Sequence, residues 1–80
     1  MTEQDEIINF RIQESIVRKL DYYGDIFDNL GNGVVIHNVS QKTTNALHRI
    51  NSLKYIIHRF GWRARTDWLD GNTVKVTWHK

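Results

Sequence analysis

The sequence predicts an α+β domain with elements in the order α-β-α-β-β: a three-stranded sheet whose C-terminal β-hairpin packs against two helices. Three observations carry this reading. Apolar residues recur every three or four positions over residues 8–30 and again over 47–60, the period of a helix face. Between them, residues 34–39 form a β-branched run that reads as a strand. Residues 62–80 then hold two alternating stretches joined at Asp70-Gly71-Asn72, residue types that tolerate the positive φ of a tight hairpin. A winged helix is the competing architecture, since it also ends in a helix followed by a two-stranded wing. It needs a third helix, which this chain supplies only if the first one breaks near Gly24.

The first helix begins at Thr2, whose hydroxyl can cap it, with Asp5 three residues on to complete a capping box. Glu3, Asp5 and Glu6 follow in the first turn, where the helix dipole favours negative charge. Ile8, Ile12, Ile16, Leu20, Tyr23, Phe27 and Leu30 make one continuous apolar stripe. Gly24 weakens it, so the helix ends near Tyr23 or runs on to Leu30, and Gly31-Asn32-Gly33 is a breaker in either case. After the strand, Ser40 is a candidate cap for a helix running from Lys42 to Gly61, its core stripe formed by Leu47, Ile50, Leu53, Ile57 and Phe60. Gly61 is placed to end it in a left-handed turn. If the strand at 34–39 and the one after this helix are parallel neighbours, the crossover is right-handed.

The hairpin register follows from its alternation. A three-residue loop at Asp70-Gly71-Asn72 sets Trp68 against Val74, Thr66 against Val76 and Ala64 against Trp78, with Asp67 facing Lys75. A two-residue loop at Asp70-Gly71 sets Trp68 against Thr73 and scatters the apolar residues over both faces. The first register leaves one core face and one basic face carrying Arg63, Arg65, Lys75, Thr77 and His79.

Eighty residues form one domain with a modest core. The absence of cysteine excludes a disulfide scaffold and a thiolate metal site and fits a reducing, cytoplasmic setting. No apolar run is long enough to span a membrane, and the acidic N-terminus is unlike a signal peptide. The net charge of +2 is unevenly spread: residues 1–30 carry seven acids against three bases, and residues 31–80 carry eight bases against Asp67 and Asp70. Such asymmetry bears on partners rather than on fold.

No chemistry of bond breaking is written in the chain, and the expectation is a non-enzymatic protein without cofactor or metal. His48 and His58 are ten residues apart and nearly opposite in azimuth on one helix, with no HExxH spacing. Ser15, Ser40 and Ser52 lie in helix or cap contexts without a nucleophile elbow. Asp21, Asp25 and Asp28 read as a solvated acidic face, and Gly31-Asn32-Gly33 as a turn rather than a phosphate loop.

The basic residues carry the functional reading. Lys42, Arg49, Lys54 and Arg59 on the second helix, with Arg63, Arg65, Lys75 and His79 on the hairpin, could form one continuous cationic surface for the phosphates of RNA or DNA. Tyr55 and Trp62 at its rim are candidates to stack on bases. The acidic first helix supports a different function, an inhibitor that docks on a basic host protein. The apolar stripe is longer than one small sheet can cover, so Ile8, Ile12, Ile16, Tyr23 and Phe27 are candidates for a homodimer interface.

Leu53-Lys-Tyr-Ile-Ile-His-Arg-Phe-Gly-Trp-Arg-Ala-Arg-Thr66, followed by Thr73-Val-Lys-Val-Thr-Trp78, resembles the C-terminal half of small regulatory and host-takeover proteins of tailed bacteriophages. There a basic helix runs into an R-x-R-T strand and the chain ends on a V-x-V-x-W-like strand. The resemblance covers residues 40–80 and implies a regulatory protein acting in the host cytoplasm. It carries no catalytic residue.

Overall fold

The first helix, α1 (Glu3–Tyr23), opens on a reciprocal cap: the Asp5 N–H donates to the Thr2 hydroxyl at 3.1 Å, and the Thr2 N–H to the Asp5 carboxylate at 3.4 Å. It closes at Gly24, which takes the left-handed conformation (φ +73°) open to glycine at little cost. The computed structural model describes residues 2–80. After α1 come β1 (Ile26–Asn29), β2 (Gly33–His37), α2 (Thr44–Arg59), β3 (Arg63–Asp70) and β4 (Thr73–His79).

The sheet therefore has four strands rather than three, in the order β1-β2-β4-β3 and antiparallel throughout. The added strand, β1, lies where the apolar stripe of the first helix was expected to continue. Gly24 turns the chain, and Phe27 then reaches the core by strand alternation rather than helical spacing. The third helix that a winged helix requires is a hairpin instead. Its turn is held by Leu30 N–H to Gly33 O at 2.9 Å and by the Asn29 side chain accepting from Gly31 N–H at 3.2 Å. Strands β2 and β3, each antiparallel to β4, run parallel to one another but are not neighbours, because β4 lies between them.

The C-terminal hairpin pairs Trp68 with Val74, Thr66 with Val76, Ala64 with Trp78 and Asp67 with Lys75, as alternation requires. Its loop is shorter than expected. Asp70 pairs with Thr73, the turn is Gly71-Asn72, and Leu69 is the extra residue of a bulge between Trp68 and Asp70. The helix α2 is capped by Thr43, not Ser40; the Thr43 hydroxyl accepts from Ala46 N–H at 3.2 Å. Gly61, at φ +79°, turns the chain into β3.

One core joins both helices to one face of the sheet. Ile12, Ile16 and Leu20 of α1 meet Ala46, Ile50, Leu53 and Ile57 of α2 above Val34, Ile36, Val74, Val76 and Trp78. The Trp78 indole N–H donates to the Asn9 side chain at 2.6 Å, so this buried ring keeps its polar atom bonded. Ile12 and Ile16 are consumed by this core, with Ile8 and Phe27 half-buried against it. Of the residues assigned to a dimer interface, only Tyr23 keeps a large exposed surface, and two cations, Lys19 and Arg49, lie over its ring. The expected surplus of apolar surface on that stripe shrinks to Tyr23 and Leu30, because α2 and the sheet cover Ile12, Ile16 and Leu20.

Candidate nucleic-acid interface

Strand alternation sorts the hairpin side chains. Val74, Val76 and Trp78 turn to the helices, so Thr73, Lys75, Thr77 and His79 turn to the other face; β3 likewise sends Ala64, Thr66 and Trp68 inward and Arg63, Arg65 and Asp67 outward. The inner strand β2 adds Gly33, Val35 and His37, and β1 adds Ile26 and Asp28. Among the described residues, no helix or strand packs over this face.

Charge is graded along the hairpin. The cross-strand rows run Arg63 with His79, Arg65 with Thr77, Asp67 with Lys75 and Asp70 with Thr73, from a positive end to a negative turn. The Arg65 guanidinium donates to Asp67 at 3.0 Å, and His37 meets Asp28 at 2.8 Å, so both of these acids are partnered. Asp70 accepts from Asn72 N–H at 2.7 Å, and that bond holds its carboxyl below the ordinary 3.8. Arg63 and Lys75 have no acid within ion-pair distance among the described residues. Phe27, Trp68 and Trp78 of the sheet face the helices, so this surface presents Arg63, Arg65, Lys75, threonine hydroxyls, two imidazoles and the partnered acids Asp28 and Asp67, with no Phe, Tyr or Trp ring on it.

The eight basic residues grouped by the sequence do not form one face. Lys54 and Arg59 belong to α2, on the far side of the sheet from Arg63, Arg65, Lys75 and His79, and Lys42 precedes α2 in a loop whose Gln41 N–H bonds Gly71 O at the hairpin turn. Arg49 leaves the set altogether. Its guanidinium bonds the Asp25 carboxylate, whose side chain is only 9% exposed, and lies 5.5 Å from the Tyr23 ring centre. It ties α2 to the start of β1. Trp62 is a core residue, 5% exposed, and cannot stack on a base. Tyr55 is exposed and carries Arg59 over its ring at 5.8 Å, on the helical layer. Gly33, read from the sequence as part of a turn, instead opens β2. A Cβ there would lie 2.7 Å from the Thr77 methyl and 2.8 Å from Val76 O, so glycine is what lets β2 and β4 close beneath the cationic end.

Comparison with known protein families, curated proteins and solved structures finds no match to this chain.

Proposed function

We propose that this protein binds nucleic acid through the uncovered face of its sheet, by contact with phosphates rather than by stacking on bases. One observation carries the reading: Arg63 and Lys75 stand on a strand face beside the Thr73 and Thr77 hydroxyls and the His79 imidazole, and neither Arg63 nor Lys75 has an acid partner among the described residues. Phosphate oxygens are bound by such cations and hydrogen-bonding side chains, and contacts of this kind position a protein without reading sequence. The likeness of residues 40–80 to phage regulatory proteins is in keeping with a non-enzymatic role of this kind.

Two paired variants test the assignment. Arg63→Ala with Lys75→Ala should weaken binding to single- and double-stranded oligonucleotides, with melting temperature nearly unchanged, because both side chains lie opposite the core. Lys54→Ala with Arg59→Ala, on the other layer, should leave binding within about twofold. The reverse ranking would move the site to α2 and restore Tyr55 as a stacking residue.

A second reading, a protein-binding inhibitor of a host factor, has its own support. On α1, Ile7 and Phe10 are exposed on the side away from the core, close to Glu3, Glu6 and Glu14. An apolar pair among acids suits a basic protein surface. Failure of the wild type to bind any oligonucleotide at low salt would favour it.

A further inference from the structure

Strand β3 is an edge of the sheet and is eight residues long, whereas the opposite edge, β1, has four. A long unpaired edge is a template for another strand, and proteins usually blunt it with charged side chains, proline, a mid-strand bulge or a covering segment. β3 has no proline, its one irregularity sits at its end between Trp68 and Asp70, and its charges are of both signs, Arg63 and Arg65 with Asp67 and Asp70, so they repel a second strand only in some registers.

The ladder fixes which backbone groups this edge offers. Trp78 N–H donates to Asn32 O at 3.0 Å, on the β2 side of β4. In antiparallel strands both backbone groups of a residue point the same way, and the direction alternates along the strand. Lys75, Thr77 and His79 therefore face β3 and bond Asp67, Arg65 and Arg63. Ala64, Thr66 and Trp68 turn their N–H and C=O outward.

We infer that a second copy of this chain adds to this edge, β3 against β3, antiparallel about a two-fold axis at Thr66. The sequence of the strand is self-complementary in that register. Arg65 faces the second copy's Asp67 in a narrow, non-hydrogen-bonded row, where side chains lie closest, and Asp67 faces the second copy's Arg65. Ala64 faces the second copy's Trp68, small against large. Moving the axis to Arg65 sets arginine against arginine, and moving it to Asp67 sets aspartate against aspartate. An intermediate register carries core-facing residues to the open face.

Two further features meet at the same place. The Thr66 hydroxyl is enclosed within the protomer and has no hydrogen-bond partner among the described residues. A turn about χ1 brings it out toward the edge, where the two Thr66 hydroxyls meet across the axis and one donates to the other. Beside the edge runs a groove between α2 and β3, lined by Leu47, Asn51, Lys54, Thr66 and Trp68, in which Leu47 is 58% exposed. A second copy at the edge covers that groove. The product is one continuous sheet whose open face carries Arg63, Lys75 and His79 twice.

The chain has no cysteine, which makes cross-linking a direct test. Opposed residues in a hydrogen-bonded antiparallel pair have Cα atoms about 5.5 Å apart, within disulfide reach. Under mild oxidation Thr66→Cys should form a covalent dimer at least roughly tenfold faster than Leu69→Cys, which is more exposed but faces Arg63 rather than itself. Wild type should sediment at twice its 9.5 kDa. Asp67→Arg should dissociate the dimer and Arg65→Asp with Asp67→Arg should restore it, which keeps the test decisive if Thr66→Cys misfolds. Equal cross-linking at both positions, a monomeric wild type at high micromolar concentration, or no rescue by the charge swap would overturn the inference.

Discussion

At Arg49 the guanidinium sits between the Asp25 carboxylate and the Tyr23 ring, whereas at Arg63 it stands on an open sheet face without an acid partner. The two residues share a charge and differ in consequence. Removing Arg49 strands a carboxylate that is nearly buried and whose second oxygen already lacks a partner. Breaking such a pair costs about 3–5 kcal/mol, and the low end applies because Arg49 keeps a quarter of its side chain in water. Arg49→Ala should therefore lower stability by about 3 kcal/mol in denaturant unfolding. Arg63→Ala should change it by less than about 0.5 kcal/mol. Equal effects in the two melts would mean that Arg63 also has a structural partner. Nothing in the sequence separates these arginines, because Asp25 lies 24 positions before Arg49 and only the fold brings them together.

Among the elements, the β2–β4 contact depends on glycine at one point. Gly33→Ala places a methyl against the backbone oxygen of Val76, which cannot rotate away. The expected loss is about 1–3 kcal/mol, as for other overpacked sites. Gly71→Ala, where an added Cβ meets nothing within 4 Å, is the control and should cost much less. The Asp70 carboxylate at that same turn gives a pH signature. Its folded pKa lies below 3.8 because Asn72 N–H donates to it, with Thr73 adding to the effect and desolvation opposing it. A depressed folded value means the stabilisation is present above the unfolded pKa and is lost as pH falls through the lower folded one. Asp70→Asn should therefore flatten the fall in melting temperature between about pH 4 and pH 2. An unchanged acid arm would show that the bond is not held in solution.

The hairpin was legible at this scale because its large apolar residues fall on one face in a single register, and a bulge at Leu69 alters the loop without altering the pairs. β1 was not legible. Tyr23, Phe27 and Leu30 happen to continue the helical spacing, and the competing signal, Gly24 before Ile26-Phe27 and Gly31-Asn32 before Val34, is a second hairpin written in the same residue types as a frayed helix end. Trp62 was ambiguous for a local reason. It follows Gly61, and whether a ring after that turn points inward or outward depends on the turn's angle, which the fold sets at φ +79°.

At the scale of the molecule, one acid of the α1 first turn reaches the end of the hairpin: the Asp5 carboxylate meets the Lys80 ammonium at 3.2 Å and lines a cleft with Trp78 and His79. The open face is left with Arg63 and Lys75 as its cations without an acid partner among the described residues. Binding responds to the local field rather than to the total, and on the open face Asp28 and Asp67 are offset by their partners His37 and Arg65. No helix among the described residues is long and apolar enough to cross a membrane. The central claim is that phosphates are held by the cations of the uncovered face, and a salt titration of oligonucleotide binding tests it most directly. Each phosphate neutralised contributes a slope of roughly −0.7 to −0.9 in log affinity against log salt. Arg63→Ala with Lys75→Ala should therefore weaken binding and reduce the slope by about 1.4 to 1.8 per chain, while the melting temperature holds. A wild type that does not bind at low salt, or a double variant that keeps the full slope, would contradict the account.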